Sequence, residues 1–136
     1  MTAHHFDELL KRAREAVNPR RLSEFAESGG VAAAIQTSSN KIYVGVCIDT
    51  TSSMGFCAEH AAAAAMVTAG ENQVTGMVAV NWQGDVYPPC GRCREFISQL
   101  HPMNLEAEIM VGSAKIVKLS ELLPHNWQNV VPRKKE

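Results

Sequence analysis

No segment of this 136-residue chain is long and apolar enough to span a bilayer. The longest apolar run, 61–67, is short and mostly alanine. The N-terminal region carries Asp7, Glu8, Lys11, Arg12 and Arg14 where a secretion signal needs an apolar core. A field of positive charge is also missing. The formal net charge is -1, so long DNA or RNA is not an expected partner. The one basic cluster, Arg133-Lys134-Lys135, reads as a solvated tail, flexible from about residue 128. Internal repeats and low-complexity linkers are absent as well. What remains is a single domain over 1–136, expected in the cytoplasm and away from membranes.

Hydrophobic residues make up 46% and charged residues 20%, the balance of a chain with a packed core. Residues 5–17 read as an amphipathic helix on Phe6, Leu9, Leu10, Ala13 and Val17, ended by Asn18-Pro19. Residues 20–28 are polar and ambiguous, and Gly29-Gly30 reads as a break. Strands are predicted over 31–36 and 42–48, with Ser38-Ser39-Asn40 as their turn. A polar loop over 50–55 leads to an alanine-rich helix over 57–69, closed by Gly70. Val74 to Val80 reads as a strand buried on both faces. A loop over 81–89 delivers a helix over 90–100, stopped by His101-Pro102. Two short strands follow at 107–111 and 115–119. This order predicts an α/β fold of three layers, α/β/α, around a mixed five-stranded sheet.

Clustered cysteines in a reducing compartment point to metal binding or catalysis before disulfides. Phe56-Cys57-Ala58-Glu59-His60 and Pro88-Pro89-Cys90-Gly91-Arg92-Cys93-Arg94-Glu95 each follow a loop and open a predicted helix. Cys90 and Cys93 share one face of a first turn. A helix N-terminus favours thiolate over thiol, which suits Cys57. Three thiolates leave one position of a tetrahedral zinc open, as a catalytic site needs. A water held there would have a pKa near ~7. Glu59, two residues after a ligand, can move that water's proton to a leaving amine. A helix-opening CxxC also fits a redox pair, or a closed structural zinc with Cys47 or His60 as fourth ligand.

With Cys57-Ala58-Glu59 and Pro89-Cys90-Gly91-Arg92-Cys93, the chain resembles the cytidine deaminase family, in its small homotetrameric three-cysteine branch. The likeness runs from Val31-Ala32-Ala33-Ala34 to Glu121-Leu122-Leu123-Pro124. Cys90-Gly91-Arg92-Cys93-Arg94 and Leu100-His101-Pro102 look closest to its blasticidin-S-deaminase-like members. The resemblance implies one Zn²⁺ per chain on Cys57, Cys90 and Cys93, with Glu59 as the catalytic acid and base. It implies hydrolytic deamination of a cytosine-type nucleoside at C4, with a small-molecule substrate and a homotetramer. A zinc-stabilised binding module without catalysis is the other reading.

Substrate contacts follow from the same resemblance. Family members carry Arg after C-A-E, and here that position is His60; Arg92 is placed to supply positive charge beside the sulfurs, or else faces solvent. Where the family has an Asn and a Glu for the ribose, this chain has Cys47 and Asp49; Asp49 can still accept from a hydroxyl, and Cys47 reads as a buried strand residue. Gly29-Gly30 stands where the family has a base-stacking Phe. Main-chain groups around Ala58 and Pro88 are expected at the pyrimidine edge. Trp127 either reaches a neighbouring subunit's site or anchors the C-terminal segment. Phe56 reads as core, Tyr87 as core or pocket wall, and His125 as pocket or surface. His101 reads as a helix end, and His4 and His5 as a disordered terminus.

Overall fold

The computed structural model describes residues 6–132; His4, His5 and the run 133–135 lie outside the described residues. In chain order the elements are α1 (Phe6–Ala16), β1 (Arg20–Ser23), β2 (Ala26–Thr37), β3 (Ile42–Thr50), α2 (Ala58–Thr68), β4 (Val74–Asn81), β5 (Val86–Tyr87), α3 (Gly91–Leu100), β6 (Glu108–Gly112) and β7 (Lys115–Lys118). Acidic Asp7 and Glu8 open α1 and Arg14 lies in its last turn, both favourable to the helix dipole.

The sheet has seven strands, two more than the sequence predicts. Its long strands run in the order β3-β2-β4-β6-β7, the five expected ones. β1 pairs with the first part of β2, and β5 pairs with the end of β4. The two additions lack the apolar alternation by which a strand is read. All of β1 is exposed, and β5 has two residues. Backbone pairing holds them instead. β4 pairs parallel with β6, and the other pairings are antiparallel. Gly29-Gly30 does not break the chain. β2 continues through it with a register shift, and Gly29 takes φ of +83° where the Asn18 carbonyl comes close.

The layering is the expected one. Alternate strand residues serve opposite faces. Ala34, Val78, Val80 and Met110 pack under Phe6, Leu9 and Ala13 of α1. Ala33, Ile35, Met77, Ala79 and Ile109 pack under α2 and α3, against Ala58, Ala62, Ala63, Met66 and Ile97. The alanines let α2 lie close on the sheet. A Cβ at Gly45 of β3 would collide with the backbone of Ala61 and Ala62. Gly70, at φ +92°, closes the region after α2 as predicted.

Buried Asn104 ties the end of α3 to the start of β4. Its Oδ1 accepts from Val74 N at 2.7 Å, and its Nδ2 donates to Ile97 O at 2.9 Å and Asn72 O at 3.1 Å. Among the described residues no helix is long and apolar enough to cross a membrane.

Candidate active site and metal centre

Two loops deliver the cysteines to two helix starts. Cys57 is the N-cap residue of α2 and Cys90 that of α3, with Cys93 in the first turn of α3. The first loop is pinned by Phe56, whose N donates to Ile48 O at 2.9 Å and whose O accepts from Ile48 N at 3.1 Å. The second is pinned by Arg94, whose Nε donates to Pro89 O at 2.7 Å.

The sulfur of Cys90 lies 3.4 Å from that of Cys57 and 3.5 Å from that of Cys93. All three lie within 4.8 Å of one another. Ligands at ~2.3 Å from a tetrahedral centre stand about 3.8 Å apart, so the set fits a thiolate-binding metal ion. Neither Cys47 nor His60 joins the set, so the described residues supply no fourth ligand for a closed site. His60 instead puts Nδ1 3.3 Å from Cys93 Sγ.

Glu59 is buried at 5% exposure beside these sulfurs. Burial raises its carboxyl above the usual range, against hydrogen bonds from its own backbone and from Cys93. Burial also raises the Cys57 and Cys93 thiols, and the Glu59 charge adds to both. Burial pushes Cys90 up too, but hydrogen bonding with the Cys93 N–H and the other two thiols outweighs it and brings Cys90 below its ordinary value. Burial, then the charge of Arg92, lowers the His60 imidazole.

A cleft of about 460 Å³ opens over the cysteines. Cys57, Ala58, Glu59, Pro88, Cys90, Arg92 and Asp49 all line it, so one cavity gathers seven of the residues singled out in the sequence. Cys47 is buried, as expected of a strand residue, and also lines the cleft. Its sulfur accepts from Val31 N at 3.3 Å and lies 3.8 Å from Asp49 Oδ2. Phe56 is not core; it is 37% exposed and forms cleft wall with Tyr87. Trp82, which no motif marked, stands there too, more exposed than either. Its signal was present but weak, a large aromatic in a loop between a buried strand and a ligand turn.

Trp127 lies outside this cleft. Its Nε1 donates to Glu95 Oε1 at 2.9 Å, and the neighbouring Gln128 reaches Ser98 Oγ at 2.9 Å. Within one chain it therefore anchors the C-terminal segment on α3. His101 ends α3, accepting from Met103 N at 3.0 Å, and His125 is exposed and does not line the cleft.

No family model matches the chain. Solved structures do resemble it. The cytidine deaminase of Mycobacterium tuberculosis is 26% identical, aligned over 90% of this chain and 96% of its own, with a TM-score of 0.75. The cytidine deaminase of Burkholderia pseudomallei is 28% identical over 93% of this chain and 100% of its own, with a TM-score of 0.65. That of Mycobacterium leprae is 26% identical over 88% and 98%, with a TM-score of 0.73. The fold is the cytidine-deaminase-like α/β fold, and it carries a three-cysteine cluster of which Cys57 and Cys90 line the cleft and Cys93 is buried beneath it.

Proposed function

We propose that this chain is a zinc-dependent hydrolase that deaminates a cytosine-type nucleoside. One observation carries the reading: three sulfurs converge at two helix N-termini with the buried Glu59 carboxyl beside them, at one cleft. The likeness to solved cytidine deaminases supports it.

Cys57, Cys90 and Cys93 would hold the ion, which when bound would supply a Lewis acid able to acidify the attacking water. Glu59 takes one proton of that water and gives it to ring N3, then takes the second from the hydroxyl formed at C4 and gives it to the leaving amine. Water oxygen becomes bonded to C4, the C4–N4 bond breaks, and ammonia and a uracil-type product leave. Backbone groups at Ala58 and Pro88 would meet the pyrimidine edge, and Asp49 a sugar hydroxyl. Arg92 would add positive charge beside the ligands.

A modified or bulkier cytosine nucleoside, blasticidin S among them, is favoured over plain cytidine by one feature of the cleft. Gly30 lines it, and a Cβ there would touch nothing. Space is therefore left on that wall of a cleft that Trp82, Tyr87 and Phe56 also line. A homotetramer, with Trp127 reaching a neighbouring cleft, belongs to the same reading, as does a cytoplasmic location.

The test is the loss of ultraviolet absorbance on adding zinc-loaded protein to cytidine, deoxycytidine and blasticidin S at equal concentration. Turnover of blasticidin S alone supports the bulky-substrate reading. Turnover of cytidine places the enzyme in pyrimidine salvage and overturns that preference. Silence on all three favours a zinc-stabilised binding module.

A further inference from the structure

We propose that the His60 imidazole is the hydrogen-bond donor that positions and tunes the Cys93 sulfur as a metal ligand, with Phe96 holding the ring in register. This rests on the metal reading above. His60 follows Cys57 by three residues on α2, and Phe96 follows Cys93 by three on α3. Each therefore lies one turn from a ligand on the same helix face. The two rings stack at 4.2 Å between centroids with 19° between planes, and His60 Nδ1 lies 3.3 Å from Cys93 Sγ. The contact joins the two helices that carry the ligands.

His60 is a donor here rather than a ligand, because its nitrogen is not part of the set of mutually close ligand atoms. The direction of the bond follows from chemistry. A metal-bound cysteine sulfur has no proton and can only accept, so Nδ1 carries the hydrogen. Cys93 is the ligand with most need of a protein donor. It is 0% exposed, whereas Cys57 is partly exposed and Cys90 exposed, so water can serve those two. An N–H on the buried sulfur draws charge from it and leaves a bound ion more electrophilic. The stack on Phe96 limits rotation of the ring, so the donor is already aimed.

The experiment compares wild-type protein with His60→Phe, which keeps a ring on Phe96 but has no donor, and His60→Asn, which has a donor but no ring. Metal affinity is read by competition with a chromogenic chelator for zinc. The thiolate-to-metal absorption band is read after cobalt loading. We expect His60→Phe to bind zinc about 10–100-fold more weakly and to shift the cobalt band. His60→Asn should recover part of both. An unchanged affinity and band in His60→Phe would overturn the proposal. So would equal losses in the two variants, which indicate packing, or a ligand-field change showing nitrogen leaving the coordination sphere. If His60→Phe does not fold, His60→Asn against His60→Ala decides: tighter binding by the asparagine variant supports the donor, and equal binding overturns it. Neither readout needs a substrate, so silence on every nucleoside leaves this test standing. Failure of the wild-type protein to bind metal at all would instead defeat the reading beneath it.

Discussion

Under α1, the sheet is covered by Phe6, Leu9, Ala34, Val78, Val80 and Met110, none of which titrates. Under α2 and α3, the opposite face combines alanines and Ile35, Met77 and Ile109 with buried Cys93, Glu59, Ser98 and Asn104. The first face is a hydrocarbon core with large side chains. The second uses small residues to bring helix N-termini close to the sheet and keeps polar groups where water is scarce. Burial of a carboxyl and of thiols costs stability until a metal or a partner neutralises them. The α1 face supplies stability that the site face gives up.

The sharpest break in this comparison is Glu59→Gln. On the proposed reading it keeps its zinc and loses turnover by about 10²–10⁴-fold, measured as kcat beside zinc content per chain. A variant with full turnover would remove Glu59 from the chemistry. Next comes Phe6→Ala on the α1 face. We expect a loss of about 3–5 kcal/mol in denaturant unfolding, with unaltered zinc stoichiometry in the folded fraction. Changed stoichiometry would mean that the faces are not separable. Gly45→Ala should cost about 1–3 kcal/mol, because α2 must shift away from β3. Lower metal affinity in this variant would show that the close approach also sets Cys57.

The smallest effect concerns pH in metal-free protein. Burial raises the Glu59 carboxyl above its unfolded value, so the folded state binds its proton more readily than the unfolded state does. Its favourable contribution is full below the usual carboxylate range and is lost as pH rises through the raised folded value. Metal-free Glu59→Gln should therefore melt above the wild type at neutral pH, with the gap closing as pH falls. A constant gap across that range would assign the difference to something other than titration.

The periodicity of Phe6, Leu9 and Ala13, the turn at 38–40 and the doubly buried run from Val74 onward were legible because each is a local pattern of burial. The three-cysteine cluster was legible because a metal needs particular atoms at particular spacings, and Cys90-x-x-Cys93 encodes two of the three sulfurs on one helical turn. β1 and β5 were not legible, since backbone pairing along β2 and β4 holds them and backbone pairing leaves little trace in residue type. Phe56 was misread as core because an aromatic before a helix gives no sign of which side of the loop is open. Trp82 was missed for a related reason, since cleft walls are made by chance neighbours in space.

By itself the sequence determined the three helices, the five long strands, the layering and the cysteines able to hold a metal, because periodicity and ligand chemistry act over a few residues. Only the tertiary structure decided that Cys57 meets Cys90 across 33 positions at 3.4 Å, that His60 turns toward Cys93, and that Gly30 lines one cleft with Phe56, Trp82 and Tyr87. Those distances depend on how closely two helices settle on one sheet. Gly45 and the alanines of α2 set that closeness through the absence of side-chain volume; the alanine run shows in the sequence, but its meeting with Gly45 does not.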